Sequence, residues 1–217
     1  MIHTEHLCAI ENMREDVMIC LDILLLGKDV VPNHLYQKCS GVLLLSTRNK
    51  GVIVNRTSGK GLLLSHNPET NKWSNPLSVT CHGMGVGLSV GSEDKSMIVI
   101  IQSPDVVSKF AKEGHFPLET HVWSHHSGDQ EKEEHHKKTI AYTFATGQHY
   151  GVAVEGCVIK LNHHQHQEFY GKEITPSQVV DTMNGTDCHL HGGSKLVKML
   201  HEELFLLASQ SNEKAGA

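Results

Sequence analysis

Four basic residues follow one another at short intervals in the first half of the sequence, where the pattern predicts turns between short apolar strands. Clustered lysine and arginine are what anionic groups, such as the phosphates of lipid headgroups, require of a protein surface. Alternate turns of a β-meander lie at opposite ends of the sheet, so one cluster, two separate pairs and ordinary solvated turns all remain open. These candidate anion-binding residues are Arg48, Lys50, Arg56 and Lys60.

Histidine is the second residue type that could do chemistry, with 18 residues in the chain. The spacing of His163 and His166 resembles half of a zinc site, but no second ligand pair at zinc spacing accompanies it. We therefore predict no metal and no cofactor, and the simplest interpretation is a solvated histidine surface. Because a histidine gains charge below pH ~6.5, the segment with His163, His164 and His166 is also a candidate anion-binding site.

Other chemistries find little support in the sequence. No nucleophile-elbow, metalloprotease or phosphate-loop motif is present, so we expect no enzyme activity. A net charge of −5 argues against nucleic acid as a partner. The six cysteines include no Cys-x-x-Cys pair, and we expect reduced thiols in a cytoplasmic protein.

An amphipathic helix is predicted over residues 5–27, ending at Gly27. Its apolar stripe could lie on a membrane or pack on the protein's own sheet. Packing is favoured because the helix carries many acidic residues and little positive charge. The candidates for membrane contact are Leu7, Ile10, Arg14, Val17 and Leu21.

From Gly41 onwards the sequence predicts many short strands, separated by turns that include residues 48–50, 57–61 and 147–149. Ser103-Pro104 begins a helix that Gly114 ends, and further helices follow Thr175 and span residues 194–208. Because strands do not alternate one by one with helices, we predict an α+β fold. The expected architecture is one antiparallel domain, a twisted sheet or partly closed barrel, with N-terminal, middle and C-terminal helices.

Six segments, in order and at plausible spacing, resemble the SYLF domain family over roughly residues 30–180. The glycine-interleaved stretch from Gly83 to Gly91 is similar to the family's glycine strand, and Gly151–Gly156 to its "G-v-s-l-E-G" segment. The other matching segments are Val31-Pro32 to Ser46, Lys72 to Pro76, Ser96 to Phe110 and Phe169-Tyr170-Gly171.

The resemblance implies a non-enzymatic module that binds phosphoinositides and acts at membranes in trafficking or actin-cytoskeleton assembly. It thereby makes both groups of candidate anion-binding residues lipid-binding candidates: Arg48, Lys50, Arg56 and Lys60, and the segment with His163, His164 and His166. The expected location is cytoplasmic and peripheral at membranes, with anionic phospholipids and possible actin or trafficking proteins as partners. The expected division is a helical segment at 1–29, the SYLF-like domain at 30–180 and a C-terminal helix and tail at 181–217. The alternatives are a protein-interaction or actin-binding domain with little lipid affinity, and a histidine-rich metal-binding protein.

Overall fold

A computed structural model describes residues 2–51, 54–125, 132–136, 139–170, 173–181 and 194–210. Six helices and seven strands are assigned within these ranges. The helices are α1 (Ile2–Gly27), α2 (Asn33–Lys38), α3 (Pro104–Glu113), α4 (His163–Tyr170), α5 (Pro176–Asp181) and α6 (Ser194–Ser209). The strands are β1 (Gly41–Gly51), β2 (Val54–Asn67), β3 (Lys72–Trp73), β4 (Leu77–Ile101), β5 (His115–His125), β6 (Lys132–His136) and β7 (Thr139–Leu161).

The seven strands form one open antiparallel sheet, and this confirms the predicted α+β class. The first half of β4 pairs with β2 and its second half pairs with β1. Since β1 and β2 are themselves antiparallel, β4 must bend around the tip of their hairpin. Strand β7 then pairs with β4 along its whole length and carries β5 and β6 on its other side.

Three predicted turns are wrong, because the strands continue through them. Residues 48–50 belong to β1, residues 57–61 to β2 and residues 147–149 to β7. Within residues 57–61, the two glycines Gly59 and Gly61 do not turn the chain. A Cβ atom on Gly61 would collide with the carbonyl oxygen of Leu44, and one on Gly59 with that of Ser46. These glycines therefore allow β2 to lie very close to β1.

The predicted helices are present, and their end signals act as expected. Pro104 occupies the first turn of α3, and Gly114 ends that helix in the left-handed conformation, with φ of 71°. The Ser103 side chain makes no capping hydrogen bond. Within the described parts of the chain, no helix is both long and apolar enough to cross a bilayer.

Helices cover both faces of the sheet near the paired ends of β1, β2 and β4. On one face α1 packs over the sheet: the Cys20 thiol lies 3.8 Å from the Leu44 carbonyl oxygen, and Gly27 lies against Ile98. On the opposite face α3 contributes Phe110, which shares a small apolar cavity with Leu43 and neighbouring side chains. Helix α6 packs against α1 and α2, so both terminal helices join one core.

Candidate functional site

The four basic candidates lie together on one face of the β1–β2 hairpin. In the register of the two strands, Lys50 is opposite Arg56, Arg48 is opposite Ser58, and Lys60 is opposite Ser46. Directly opposed residues, and residues two apart along a strand, project from the same face of a sheet. The two-pair alternative is therefore excluded, and all four side chains share the face on which α1 packs.

The same face continues across β4 and β7. Lys60 is in register with Thr80, which is in register with Lys160, and Lys160 is in register with His115 on β5. At the next pair of residues on this face, further from α1, Ser58 is in register with His82. We call this surface the basic face. Its members are Arg48, Lys50, Arg56, Lys60, His82, His115 and Lys160.

Three exposed apolar side chains are interleaved with the basic residues. Met84 is in register with Arg56 and is 71% exposed. Val54 lies two residues before Arg56 on β2, and Val158 is in register with His82; both are exposed. A surface that alternates cations with solvent-exposed aliphatic groups offers both the attractive charge and the apolar contact that a lipid surface can use.

Ion pairing leaves part of the basic face uncompensated. Arg48 donates from Nε to Oδ1 of Asp94 and from Nη2 to Oδ2, the second over 3.0 Å. The Arg48 guanidinium lowers the pKa of Asp94, and the charge of Lys50 contributes in the same direction. Within the described residues Lys50 and Arg56 make no ion pair, so they are available to an external anion.

Lys60 connects the basic face to the N-terminal helix. Its Nζ atom lies 2.8 Å from Oε2 of Glu15 and 3.2 Å from Oδ1 of Asp16. Glu15 is exposed, whereas Asp16 is only 2% exposed. Lys60 is therefore the point at which an acidic segment of α1 meets the cationic surface of the sheet.

Asp16 is the centre of a buried polar cluster that ties α1 to β4 and α4. Gln165 donates from Nε2 to Oδ2 of Asp16 over 3.0 Å, and Ser78 donates to Oε1 of Gln165 over 2.8 Å. Burial raises the pKa of Asp16, while these hydrogen bonds and the charge of Lys60 partly offset the rise. This cluster was not predicted from the sequence. The only indication of it there is that Asp16 lies at helical spacing from Met13 and Cys20, both of which are buried.

The three candidate histidines do not form one group. They lie on α4, where His163 and His164 are exposed and His164 pairs with Glu168 at 3.2 Å. His166 is buried, its Nε2 atom lies 2.8 Å from the carbonyl oxygen of Ile174, and burial lowers its pKa. Among the described residues, no group of three or more histidine, cysteine or acidic side chains is arranged to hold a metal ion.

The candidate membrane residues of α1 differ in their surroundings. Val17 is fully buried, Leu21 is partly buried against the core, and Arg14 is exposed. The side chains of Leu7 and Ile10 lie outside the described part of the structure. The apolar stripe of α1 is thus packed into the core through Val17 and its helical neighbours. Those neighbours are Met13, Cys20, Ile23 and Leu24.

The structure is thus an open antiparallel sheet with helices on both faces and a cationic surface on one of them. The family model Ysc84, described as "Las17-binding protein actin regulator", matches residues 82–202, more than half of the chain. The chain therefore belongs to the Ysc84 family, which confirms its resemblance to SYLF domains. The family is linked to actin regulation.

Several relatives support this assignment. The chain is 32% identical over 89 residues to SH3 domain-containing YSC84-like protein 1 of Rattus norvegicus, covering 41% of this chain and 26% of that protein. It is 22% identical over 189 residues to an SH3 domain-containing protein of Schizosaccharomyces pombe, covering 83% and 43%. Protein YSC84 of Saccharomyces cerevisiae is 23% identical over 159 residues, covering 70% and 34%. The chain thus spans less than half the length of these relatives, and no solved structure matches it.

Proposed function

We propose that this chain is a non-enzymatic module that binds anionic, phosphoinositide-bearing membranes through the basic face and acts in actin-cytoskeleton regulation or trafficking. The observation that carries the proposal is the in-register pair Lys50 and Arg56, which is exposed and free of ion pairs among the described residues. Exposed Met84, in register with Arg56, adds an apolar contact at the same place. The location that follows is peripheral, on the cytoplasmic side of a membrane.

Local charge, and not the net charge of −5, governs such binding. Each lysine or arginine near an anionic lipid surface contributes about 1 kcal/mol. Arg48 is partly neutralised by Asp94, so Lys50 and Arg56 carry the greater part of the attraction. His163 and His164 are exposed and remain candidate lipid contacts, whereas buried His166 is not included.

The sheet face takes precedence over the N-terminal helix in this proposal. Insertion of α1 into a membrane through Val17 would require the helix to leave the core, where that side chain is completely buried. Fully burying such a side chain is worth roughly 1.5–3 kcal/mol, and several neighbours are buried with it. The basic face needs no such rearrangement to meet a bilayer.

Vesicle sedimentation with Lys50→Gln/Arg56→Gln tests the proposal. We expect affinity for phosphoinositide vesicles to fall about 30-fold, which corresponds to the loss of ~2 kcal/mol. The matched control is Lys38→Gln/Lys195→Gln, which removes two exposed charges outside the basic face and should change affinity little. Equal losses for the two double variants, or no binding by the parent protein, would contradict the proposal.

An acidic protein surface is the second candidate ligand of the basic face. The family description as an actin regulator favours it, and the same unpaired cations would attract acidic side chains. Sedimentation with filamentous actin in the absence of lipid distinguishes the two candidates. Binding to actin that Lys50→Gln/Arg56→Gln abolishes, together with no binding to vesicles, would favour the protein partner.

A further inference from the structure

Lys60 lies at the boundary between the covered and the open parts of one sheet face. Two residues further along β2, Leu62 is completely buried beside the equally buried Leu44 of β1. Two residues in the other direction, Ser58 is exposed, and Arg56 follows it. The Lys60 side chain is itself 40% exposed, so its ammonium group can turn towards α1 or towards the basic face.

In the structure this ammonium group is held by α1. Glu15 contacts it at 2.8 Å and Asp16 at 3.2 Å. The two acids differ in their other contacts: Asp16 also accepts a hydrogen bond from Gln165, and its Oδ2 atom lies 3.3 Å from the Ser78 hydroxyl. Glu15 is mostly exposed, and within the described residues Lys60 is its sole side-chain partner. Glu15 could thus lose Lys60 at little cost, because water can solvate its carboxylate.

We infer that Glu15 is an intramolecular competitor that withholds Lys60 from anionic ligands of the basic face. This inference rests on the proposed function and adds its regulation. When an anionic headgroup approaches, Lys60 keeps its contact with the buried Asp16 carboxylate, exchanges the Glu15 carboxylate for a phosphate and adds its charge to those of Lys50 and Arg56. The acidic residue of α1 therefore sets the affinity of the sheet surface without itself touching the ligand.

The strengths of the two interactions make the exchange feasible. An exposed ion pair of this kind stabilises a protein only weakly. A charged membrane presents many phosphates at once, and a basic residue near it raises affinity about fivefold. By linkage, whatever free energy the Glu15 contact adds to the unbound state is subtracted from ligand binding. Removing the Glu15 charge should therefore strengthen binding.

The test compares vesicle binding of four proteins: the parent, Glu15→Gln, Lys60→Gln and the double variant. The probe is a phosphatidylcholine vesicle with and without a phosphoinositide. We expect Glu15→Gln to raise affinity about threefold to fivefold and to have no effect when Lys60→Gln is already present. Glu11→Gln is the matched control, since Glu11 is an exposed glutamate one turn earlier on α1 and makes no contact with Lys60. It should leave affinity nearly unchanged.

The outcomes separate the regulation from the function it regulates. If the parent and Glu15→Gln bind phosphoinositide vesicles equally, the competition is refuted while the binding function stands. An equal gain for Glu11→Gln, or a gain that persists in the Lys60→Gln background, would also refute it by showing a general charge effect. Absence of binding by both the parent and Glu15→Gln would overturn both proposals.

Discussion

The two ends of the sheet face that α1 contacts are built from the same three strands but have opposite characters. At one end Leu44, Leu62 and Ile98 are completely buried beneath the helix. At the other end of the same three strands, Arg48, Arg56 and Met84 are exposed. The periodicity of a strand fixes which face a residue occupies, but coverage by another element decides whether that face is core or binding surface.

The covered end should respond most strongly to truncation. Leu44→Ala removes a completely buried side chain, and we expect the free energy of unfolding to fall by about 2–5 kcal/mol. Val54→Ala is the matched control, since it shortens an apolar side chain at the exposed end of the same hairpin and should change stability by less than about 0.5 kcal/mol. Urea denaturation measures both changes, and similar values for the two variants would eliminate the distinction between the ends.

The boundary between the two ends should show a smaller, pH-dependent effect. Because burial raises the pKa of Asp16 above its ordinary value of 3.8, the folded protein takes up a proton there before the unfolded chain does. Stability contributed at this site therefore increases as pH falls through the raised pKa towards 3.8. Relative to Asp16→Asn, the parent protein should become more stable over that interval, as measured by urea denaturation at each pH.

Comparison with the variant isolates the contribution of Asp16. Burial lowers the pKa values of His66, His166 and His201, which destabilises the fold in acid, but both proteins share this loss. Asp22→Asn, at an exposed position of the same helix, should show no pH-dependent difference from the parent. A stability difference between the parent and Asp16→Asn that is constant with pH would contradict the assignment.

Loss of an apolar side chain at the open end should have the smallest effect, on binding and not on stability. Met84→Ser removes an exposed apolar group beside Arg56, and we expect affinity for phosphoinositide vesicles to fall about threefold, or ~0.7 kcal/mol. Met199→Ser on α6 removes a similarly exposed methionine outside the basic face. Vesicle sedimentation should detect a loss for the first variant only; equal losses would show that exposed methionines contribute without regard to position.

Local signals in the sequence predicted the helices well. The amphipathic period of α1, the Pro104 start and the Gly114 end of α3, and the apolar face of α6 are all encoded within a few neighbouring residues. The antiparallel α+β class followed from the order of these elements. Each of these features depends on short-range stereochemistry, which a single sequence displays directly.

The lengths of the strands and the grouping of the basic residues on one face could not be predicted, because both depend on strand pairing between residues distant in sequence. Gly59 and Gly61 resemble turn residues, but they lie within β2 because β1 approaches too closely for a side chain. The predicted turns consequently left open whether Lys60 and Arg48 lie together, whereas the register of the strands unites them on one face. Likewise, the helical periodicity of α4 turns His166 inward, and no helix was predicted over that segment. The hydrogen bonds between α1 and α4 could not be predicted from the sequence, because these two helices meet only in the complete fold.

The long pairing of β4 with β7 has a consequence for the kinetics of folding. Its inner end joins Ile101 to Thr139 and its outer end joins Val79 to Leu161, so every rung closes a long segment of chain. Proteins dominated by such non-local contacts fold slowly, because the entropy of loop closure is lost before the contacts form. We therefore expect refolding on the millisecond-to-second scale, with the β1–β2 hairpin able to form locally before β4 and β7 enclose it.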